Sequence, residues 1–194
     1  WAADPIGFGV LVRLNNGYND GFRGPGTIPG PAGYDAFAQK CAGWAQRTMA
    51  GLSSDFACTF VIGNEMNNPR EWPNPNGSAQ QINFGAAITP QGYADCFNRA
   101  YRAIKAVAPN ARVVPGAVDP YNALYLDCLQ YFTQMLSRID ALDGFSFHTY
   151  THGPEVVRIT SLGTFQNDPL RWQHYDFMSY VTLMDQIPAK WRNV

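Results

Sequence analysis

Apolar and polar positions follow two different periods along the chain, and these periods predict strands and helices in turn. Four short apolar runs, each followed by a turn rich in polar residues, glycine or proline, predict strands. They are GFGVLVRLN at 7–15, FACTFVIGN at 56–64, ARVVPGAV at 111–118 and GFSFHTY at 144–150. The segments between them repeat apolar residues every three or four positions, which predicts helices. Strands that alternate with helices indicate parallel βαβ units and therefore an α/β fold.

The helices have clear boundary signals. The best-marked one begins at Pro90, with Thr89 as its N-cap, and ends before Pro109. The other three are expected at about 34–48, 124–139 and 175–184. Continuously apolar strands indicate a sheet that helices cover on at least one face.

Long segments rich in proline and glycine follow two of the predicted strands. They are GFRGPGTIPGPAGY at 21–34 and NNPREWPNPNGSAQ at 67–80. Loops that follow strands lie at the carboxyl edge of a parallel sheet, where α/β proteins bind their ligands. We therefore expect the functional site at this edge.

Length, composition and charge limit the function classes. The 194 residues, 46% of them hydrophobic, suffice for a sizeable core, and we expect residues 1–194 to form a single domain. The formal net charge of −1 creates no field that would attract nucleic acid or an anionic membrane. No apolar run approaches the ~20 residues that cross a bilayer. We expect a neutral ligand and no nucleic-acid or membrane partner. We also expect that either end of the sequence, which starts at Trp1 without Met, is a cut in a longer chain.

The cysteines and histidines show no strong metal-ligand spacing. The four cysteines, none in a CxxC pair, are expected to be mostly buried thiols, with disulfides such as Cys41 to Cys58 as the alternative. No metal and no cofactor is predicted. A metal site made of His148, His152 and Glu155 is the weakest hypothesis, because these residues leave a strand into a Gly-Pro turn instead of sharing one helix face.

A carboxylate stands at the end of the second predicted strand. If side chains alternate along the strand, Glu65 shares a face with Val61 and Gly63 and projects into the cleft that the loops form. A partly apolar cleft disfavours the charged form of a carboxyl group, as a general acid near neutral pH requires. The alternative is a structural ion pair of Glu65 with Arg13 or Arg70 at the rim of the cleft.

Polar side chains also lie on the inner face of the fourth predicted strand. Phe145 and Phe147 are expected to face the covering helices, whereas Ser146, His148 and Tyr150 face the other way. For His148 alone, a hydrogen-bonded core histidine is the simpler interpretation. With Tyr150 beside it, the pair favours a functional site.

The segments IGNEMN and FSFHTYTHG together resemble the Asn-Glu and His-x-Tyr signatures of retaining glycoside hydrolases built on a (β/α)8 barrel, with a pattern closest to cellulase-like members. The resemblance implies that Glu65 is the general acid/base and that Asn64 hydrogen-bonds the 2-hydroxyl of the sugar. It implies that His148 and Tyr150 contact the substrate and orient the nucleophile. The four predicted strands then correspond to strands three to six of a TIM barrel, so that this chain forms a partial barrel.

In that family the nucleophilic glutamate lies on a seventh strand, for which these residues provide no counterpart. Retaining hydrolysis requires two carboxyl groups about 5 Å apart, and Glu65 supplies one of them. Asp119 is the other acid at a strand end, and we interpret it as a helix-capping or loop acid. The rings of Trp72, Tyr18 and Tyr121 follow strands and are candidates for stacking on sugar faces, with ordinary loop packing as the alternative.

Two functions are therefore expected. The first is a retaining glycoside hydrolase that acts on an oligosaccharide or polysaccharide, with the rest of the barrel supplied by a complementing chain segment. The second is a non-catalytic carbohydrate-binding or self-associating half-barrel. A partial sheet exposes two edges and an apolar inner face, which favours association, and two copies would close one barrel as a homodimer.

Overall fold

The computed structural model describes residues 9–52 and 58–194, and within these ranges it is an α/β fold with one parallel sheet. The strands are β1 (Val10–Leu14), β2 (Cys58–Ile62) and β3 (Arg112–Pro115), in the order β1-β2-β3. β2 is the central strand and pairs along its whole length with β1. The prediction of parallel βα units is confirmed for these three strands. The first two predicted strands begin at residues outside the described ranges.

The described ranges contain four α-helices. They are α1 (Tyr34–Ala50), α2 (Pro90–Val107), α3 (Cys128–Arg138) and α4 (Ser179–Asp185). α2 begins as predicted, because the Thr89 side chain accepts a hydrogen bond from the Gly92 N–H. α3 begins later than predicted, because Asp127 caps it by accepting from the N–H groups of the next turn. No helix in the described ranges has the length and apolar character needed to cross a membrane.

Residues 144–150, predicted as a fourth strand, form no strand in the structure. The segment lies beside β3, where the Ser146 hydroxyl donates to the Pro115 carbonyl over 2.6 Å. Pro115 has no N–H to donate to a neighbouring strand, which weakens any backbone ladder at this edge. The predicted alternation holds in part: the Phe147 ring packs against Phe132 of α3 with centroids 6.1 Å apart, but Phe147 also lines the cavity on the inner face.

The two faces of the sheet differ in how they are covered. Phe60 of β2 and Phe97 of α2 are fully buried in the core between the sheet and the helices. On the inner face, by contrast, the Leu11 side chain is 70% exposed. Leu11, Val61 and Phe147 help to line a cavity of about 330 Å³ on this open side. The helices thus cover one face of the sheet, and the opposite face remains open within the described residues.

All four cysteines are buried thiols without disulfides, as the sequence predicts. They are Cys41, Cys58, Cys96 and Cys128. The alternative pairing of Cys41 with Cys58 is therefore wrong. Burial raises the pKa of the Cys41 thiol to about 12.

A buried tyrosine joins the ends of β2 and β3. The Tyr93 hydroxyl donates to the Ile62 carbonyl and accepts from the Gly116 N–H, both over 2.7 Å. The Gly116 N–H also lies 2.9 Å from the Ile62 carbonyl oxygen. A Cβ atom at position 116 would stand 2.7 Å from the carbonyl oxygens of Ile62 and Gly63, so only glycine fits there. This close approach fixes the position at which the chain leaves β2.

We expect Tyr93→Phe to lower the free energy of unfolding by about 1–2 kcal/mol, because two buried hydrogen bonds are lost while the ring packing is kept. Urea denaturation followed by circular dichroism measures this change. Tyr180→Phe, which removes the hydroxyl of a partly exposed tyrosine, serves as the control. Equal unfolding midpoints for the two variants would contradict a stabilising role for the Tyr93 hydroxyl.

Candidate active site

Two residues in the loop that follows β2 have a left-handed backbone conformation. Gly63 has φ +79°, which glycine adopts readily, and Glu65 has φ +43°, which is uncommon for a residue with a side chain. The Glu65 N–H donates to the Ala117 carbonyl over 2.8 Å, which ties this turn to the chain after β3. An unusual backbone conformation held in place by its surroundings is a feature of functional loops.

The left-handed turn also ends the side-chain alternation of β2. Asn64 lines the inner cavity together with Val61 and Gly63, although strict alternation predicts that it faces the opposite way. The prediction was wrong because it extended the strand geometry beyond Ile62. Neighbouring side chains, those of Asn64 and Glu65, therefore both reach the carboxyl edge of the sheet.

The carboxylate of Glu65 is the centre of the site. Its Oε1 atom lies 2.7 Å from Nδ1 of His148 and accepts a hydrogen bond from the Tyr150 hydroxyl over 3.2 Å. Its Oε2 atom makes a long contact of 3.5 Å with Nδ2 of Asn68. The Glu65 side chain is 18% exposed. The structure thus brings together three residues that the sequence analysis selected, and the ion-pair partner of Glu65 is His148 instead of an arginine.

These donors shift the pKa of Glu65. The hydrogen bond from His148 holds the pKa of the Glu65 carboxyl below its ordinary value, and this effect outweighs burial, which raises the pKa. The expectation that the cleft disfavours the charged form is therefore not met in this arrangement. Burial, together with the nearby Glu65 charge, raises the pKa of Tyr150 to about 12, so the phenol keeps its proton and remains a donor.

Asn64 is held between two charged side chains. Its Oδ1 atom accepts from Nη1 of Arg13 over 2.7 Å, and its Nδ2 atom donates to Oε1 of Glu71 over 3.1 Å. Glu71 lies in the short 3-10 helix Pro69–Glu71, which returns the loop toward the end of β2. Burial, the largest effect, raises the pKa of Glu71. Glu71 was not predicted from the sequence, because no periodicity indicates where a turn of this kind returns the chain.

Asp119 is bound into its own loop. Its backbone exchanges two hydrogen bonds of 2.8 Å with the Asn67 side-chain amide, and its Oδ1 atom accepts from the Tyr121 N–H over 3.0 Å. Its Oδ2 atom accepts from Asn68 over 3.1 Å. Burial raises the pKa of the Asp119 carboxyl. These contacts support the interpretation of Asp119 as a loop acid, and Asn68 links it to Glu65.

Trp72, expected as a platform for a sugar ring, lies in the core. It is 1% exposed, and its indole Nε1–H donates to the Met66 carbonyl over 2.9 Å. Tyr125 and Phe84 pack edge-on against it, with ring centroids 5.6 and 6.0 Å away. The assignment of Trp72 to the substrate site is therefore wrong. Its ring packs within the protein, as the alternative interpretation expected.

The two tyrosine candidates have different surroundings. Tyr18 is 75% exposed and lines a separate cavity of about 360 Å³ beside Trp44 of α1. Tyr121 donates from its hydroxyl to the Tyr150 carbonyl over 3.1 Å and packs against the His152 ring. Tyr121 therefore supports the segment that carries Tyr150, whereas Tyr18 is available at the surface.

The three residues proposed for a metal site, His148, His152 and Glu155, each contact a different side chain. His148 contacts Glu65, His152 contacts Asp176, and Glu155 pairs with Arg158. In the part of the chain that the structure describes, no three His, Cys, Asp or Glu side chains form a group suited to a metal ion.

We expect His148→Ala to raise the pKa of Glu65, because burial then acts on the carboxyl without its main donor. In the native protein the folded-state pKa lies below the ordinary value of 4.5, so this group stabilises the fold above about pH 4.5 and the contribution is lost as the pH falls through the folded pKa. Carboxyl ¹³C NMR titration measures the pKa directly. His152→Ala is the control, and an unchanged Glu65 pKa in His148→Ala would contradict the assignment.

The chain matches no protein-family model and no curated protein. Among solved structures, a family 51 α-L-arabinofuranosidase from Bifidobacterium longum is similar to it, with a TM-score of 0.44 and 19% sequence identity. The similarity covers 77% of this chain and 26% of that protein, so the chain spans about a quarter of its length. A likeness of this size leaves the function of the site to be inferred from its own geometry.

Proposed function

We propose that this chain is the central part of a retaining glycoside hydrolase in which Glu65 is the general acid/base. One observation carries the proposal: at the carboxyl edge of the sheet, a carboxylate in an unusual backbone conformation has His148 and Tyr150 on one oxygen atom. The other oxygen atom has only a long contact to Asn68 among the described residues. A proton can therefore be carried on that atom without breaking a short hydrogen bond.

In the first step Glu65 gives its proton to the glycosidic oxygen while the nucleophile attacks the anomeric carbon. In the second step the ionised Glu65 takes a proton from the water that releases the sugar, so the carboxyl returns to its starting form. The hydrogen bonds from His148 and Tyr150 favour the ionised form that the second step needs. An ionised nucleophile about 5 Å away raises the pKa of Glu65, because like charges raise each other's pKa. This favours the protonated form of Glu65 that the first step needs.

The fold supports this proposal in general terms. Three parallel strands in sequence order, with α1 and α2 after β1 and β2 on one face of the sheet, have the arrangement of consecutive units of a (β/α)8 barrel. We propose that residues 1–194 form one partial-barrel domain, and that the nucleophile lies on a seventh strand to which none of the described elements corresponds. A neutral oligosaccharide or polysaccharide suits the near-zero net charge.

We expect Glu65→Gln, made in the complete protein, to lower kcat/KM by about 10²- to 10⁴-fold for a glycoside with a poor leaving group, because the leaving oxygen then receives no proton. For a dinitrophenyl glycoside, whose leaving group needs no proton, the first step is retained. Added azide, which needs no general base, then restores turnover. Steady-state kinetics with the two substrates measure both effects.

The matched control is Glu155→Gln, which makes the same chemical change at an exposed glutamate whose partner is Arg158. Its kinetics should equal those of the native protein with both substrates. Full activity of Glu65→Gln on the poor leaving group, or equal losses on both substrates, would show that Glu65 is not the acid/base.

The open inner face favours a second candidate, a self-associating and non-catalytic carbohydrate-binding half-barrel. Leu11 is 70% exposed on that face, and β1 is an edge strand of the described sheet. Exposed apolar surface next to a strand edge favours pairing with another copy. In this case two copies share one barrel, and oligosaccharide binds without being hydrolysed.

We expect Leu11→Lys to shift a homodimer of this chain to monomer, because a charge is then placed in the shared interior. Sedimentation velocity measures the mass, and calorimetry with an oligosaccharide measures binding. Leu162→Lys, at a leucine that is 68% exposed elsewhere, is the control. A native chain that is monomeric at all concentrations would eliminate the homodimer.

A further inference from the structure

We infer that Arg13 and Glu71 are positioning residues that lock the side-chain amide of Asn64, so that it offers an N–H donor, and not its carbonyl oxygen, to the 2-hydroxyl of the bound sugar. The inference rests on the proposed function for the identity of the sugar. The lock consists of the two hydrogen bonds that Asn64 makes with Arg13 and Glu71, and it exists whatever the ligand is.

The chemistry of the two partners fixes the orientation of the amide. An arginine side chain donates hydrogen bonds and accepts none, so the atom of Asn64 that lies 2.7 Å from Nη1 of Arg13 has to be the oxygen. The nitrogen then lies 3.1 Å from Oε1 of Glu71. A flipped amide would place its NH₂ group against the guanidinium and its oxygen against the carboxyl group. Both hydrogen bonds would be lost.

The lock joins three separate parts of the chain. Arg13 lies in β1, Asn64 follows β2, and Glu71 ends the 3-10 helix beyond it. In the strand register Arg13 is opposite Val61, three residues before Asn64, so the guanidinium reaches along the inner face to the amide. The Asn64 side chain is held from both sides, and the residue is only 9% exposed.

One hydrogen of the amide remains for a ligand. The NH₂ group of asparagine carries two hydrogens, and Glu71 accepts one of them. Asn64 and His148 both line the cavity of about 330 Å³ on the inner face. A sugar held there against Glu65 meets an amide whose donor direction is already set.

This orientation matters most in the transition state. Hydrogen bonds to the 2-hydroxyl strengthen as the sugar approaches the oxocarbenium-like transition state. A donor that is already oriented does not have to be ordered when the reaction occurs. The lock should therefore act on kcat more than on KM.

The test compares two substrates that differ only at C2. We expect Arg13→Met, made in the complete protein, to lower kcat/KM about tenfold on a glycoside with a 2-hydroxyl, because one hydrogen bond that orients the donor is lost. On the matched 2-deoxy glycoside, which cannot use the donor, the loss should be less than about twofold. Arg13→Lys, which restores a donor to the Asn64 oxygen, should recover part of the activity. The control is Arg47→Met, an arginine that packs on Trp44 of α1.

A second measurement needs no catalysis. In ¹⁵N-labelled protein, Arg13→Met and Glu71→Met, which remove the donor and the acceptor, should each speed the hydrogen exchange of the Asn64 NH₂ group by about tenfold or more, whereas Arg47→Met leaves it unchanged. Unchanged exchange in Arg13→Met would overturn the lock. Equal losses by Arg13→Met on the two glycosides would overturn its role toward the 2-hydroxyl. If the complete protein hydrolyses neither glycoside, the proposed function fails, and the exchange data alone decide whether the lock exists.

Discussion

The site depends on one close backbone contact. Gly116, which follows β3, lies against the carbonyl groups of Ile62 and Gly63 at the end of β2. Gly116 has no Cβ, so its backbone lies against Ile62 and Gly63, and the Tyr93 hydroxyl fills the remaining hydrogen bonds. With the strand ends fixed there, the chain leaves β2 through a left-handed Gly63. The backbone of Glu65 then bonds the next strand's loop, and its side chain stands at the edge of the sheet.

Asparagine side chains donate hydrogen bonds to the acidic residues of the site. Asn64 donates to the Glu71 carboxyl group and Asn68 to the Asp119 carboxyl group, whereas Asn67 bonds the Asp119 backbone. None of these amides carries a charge. Amides satisfy the oxygen atoms of buried acids while leaving the net charge of the cleft unchanged. The pKa of Glu65 is lowered by donors, whereas burial raises the pKa of Asp119. The surroundings of these two neighbouring carboxyl groups therefore shift their pKa values in opposite directions.

The sequence predicted those features that depend on regular periodicity. The N-cap and first turn of α2 were correct because Thr89 and Pro90 act locally. The placement of His148 and Tyr150 side by side followed from alternation, whereas their contact with Glu65 was not predicted. In residues 144–150 the alternation held only in part, because no strand formed there and Phe147 also lines the inner cavity.

The features that the sequence did not predict depend on irregular backbone or on distant packing. Trp72 was misassigned because a ring in a polar loop gives no sign of whether neighbouring rings will cover it. Glu71 was missed because a single 3-10 turn brings it back to Asn64. The inward position of Asn64 required the left-handed conformation of Gly63, and a glycine alone does not reveal which of its allowed conformations the fold selects.

The reactivity of the four buried thiols reports which part of the fold opens. Because the thiolate is the reactive form, a Cys41 pKa of about 12 leaves almost none of that thiol reactive at neutral pH. Cys128 has a similar pKa for the same reason, which is burial. The sulfur atoms lie on α1, β2, α2 and α3, so each becomes accessible when its own layer separates from the rest. The order in which the thiols react with an alkylating reagent is then the order in which the layers of this fold come apart.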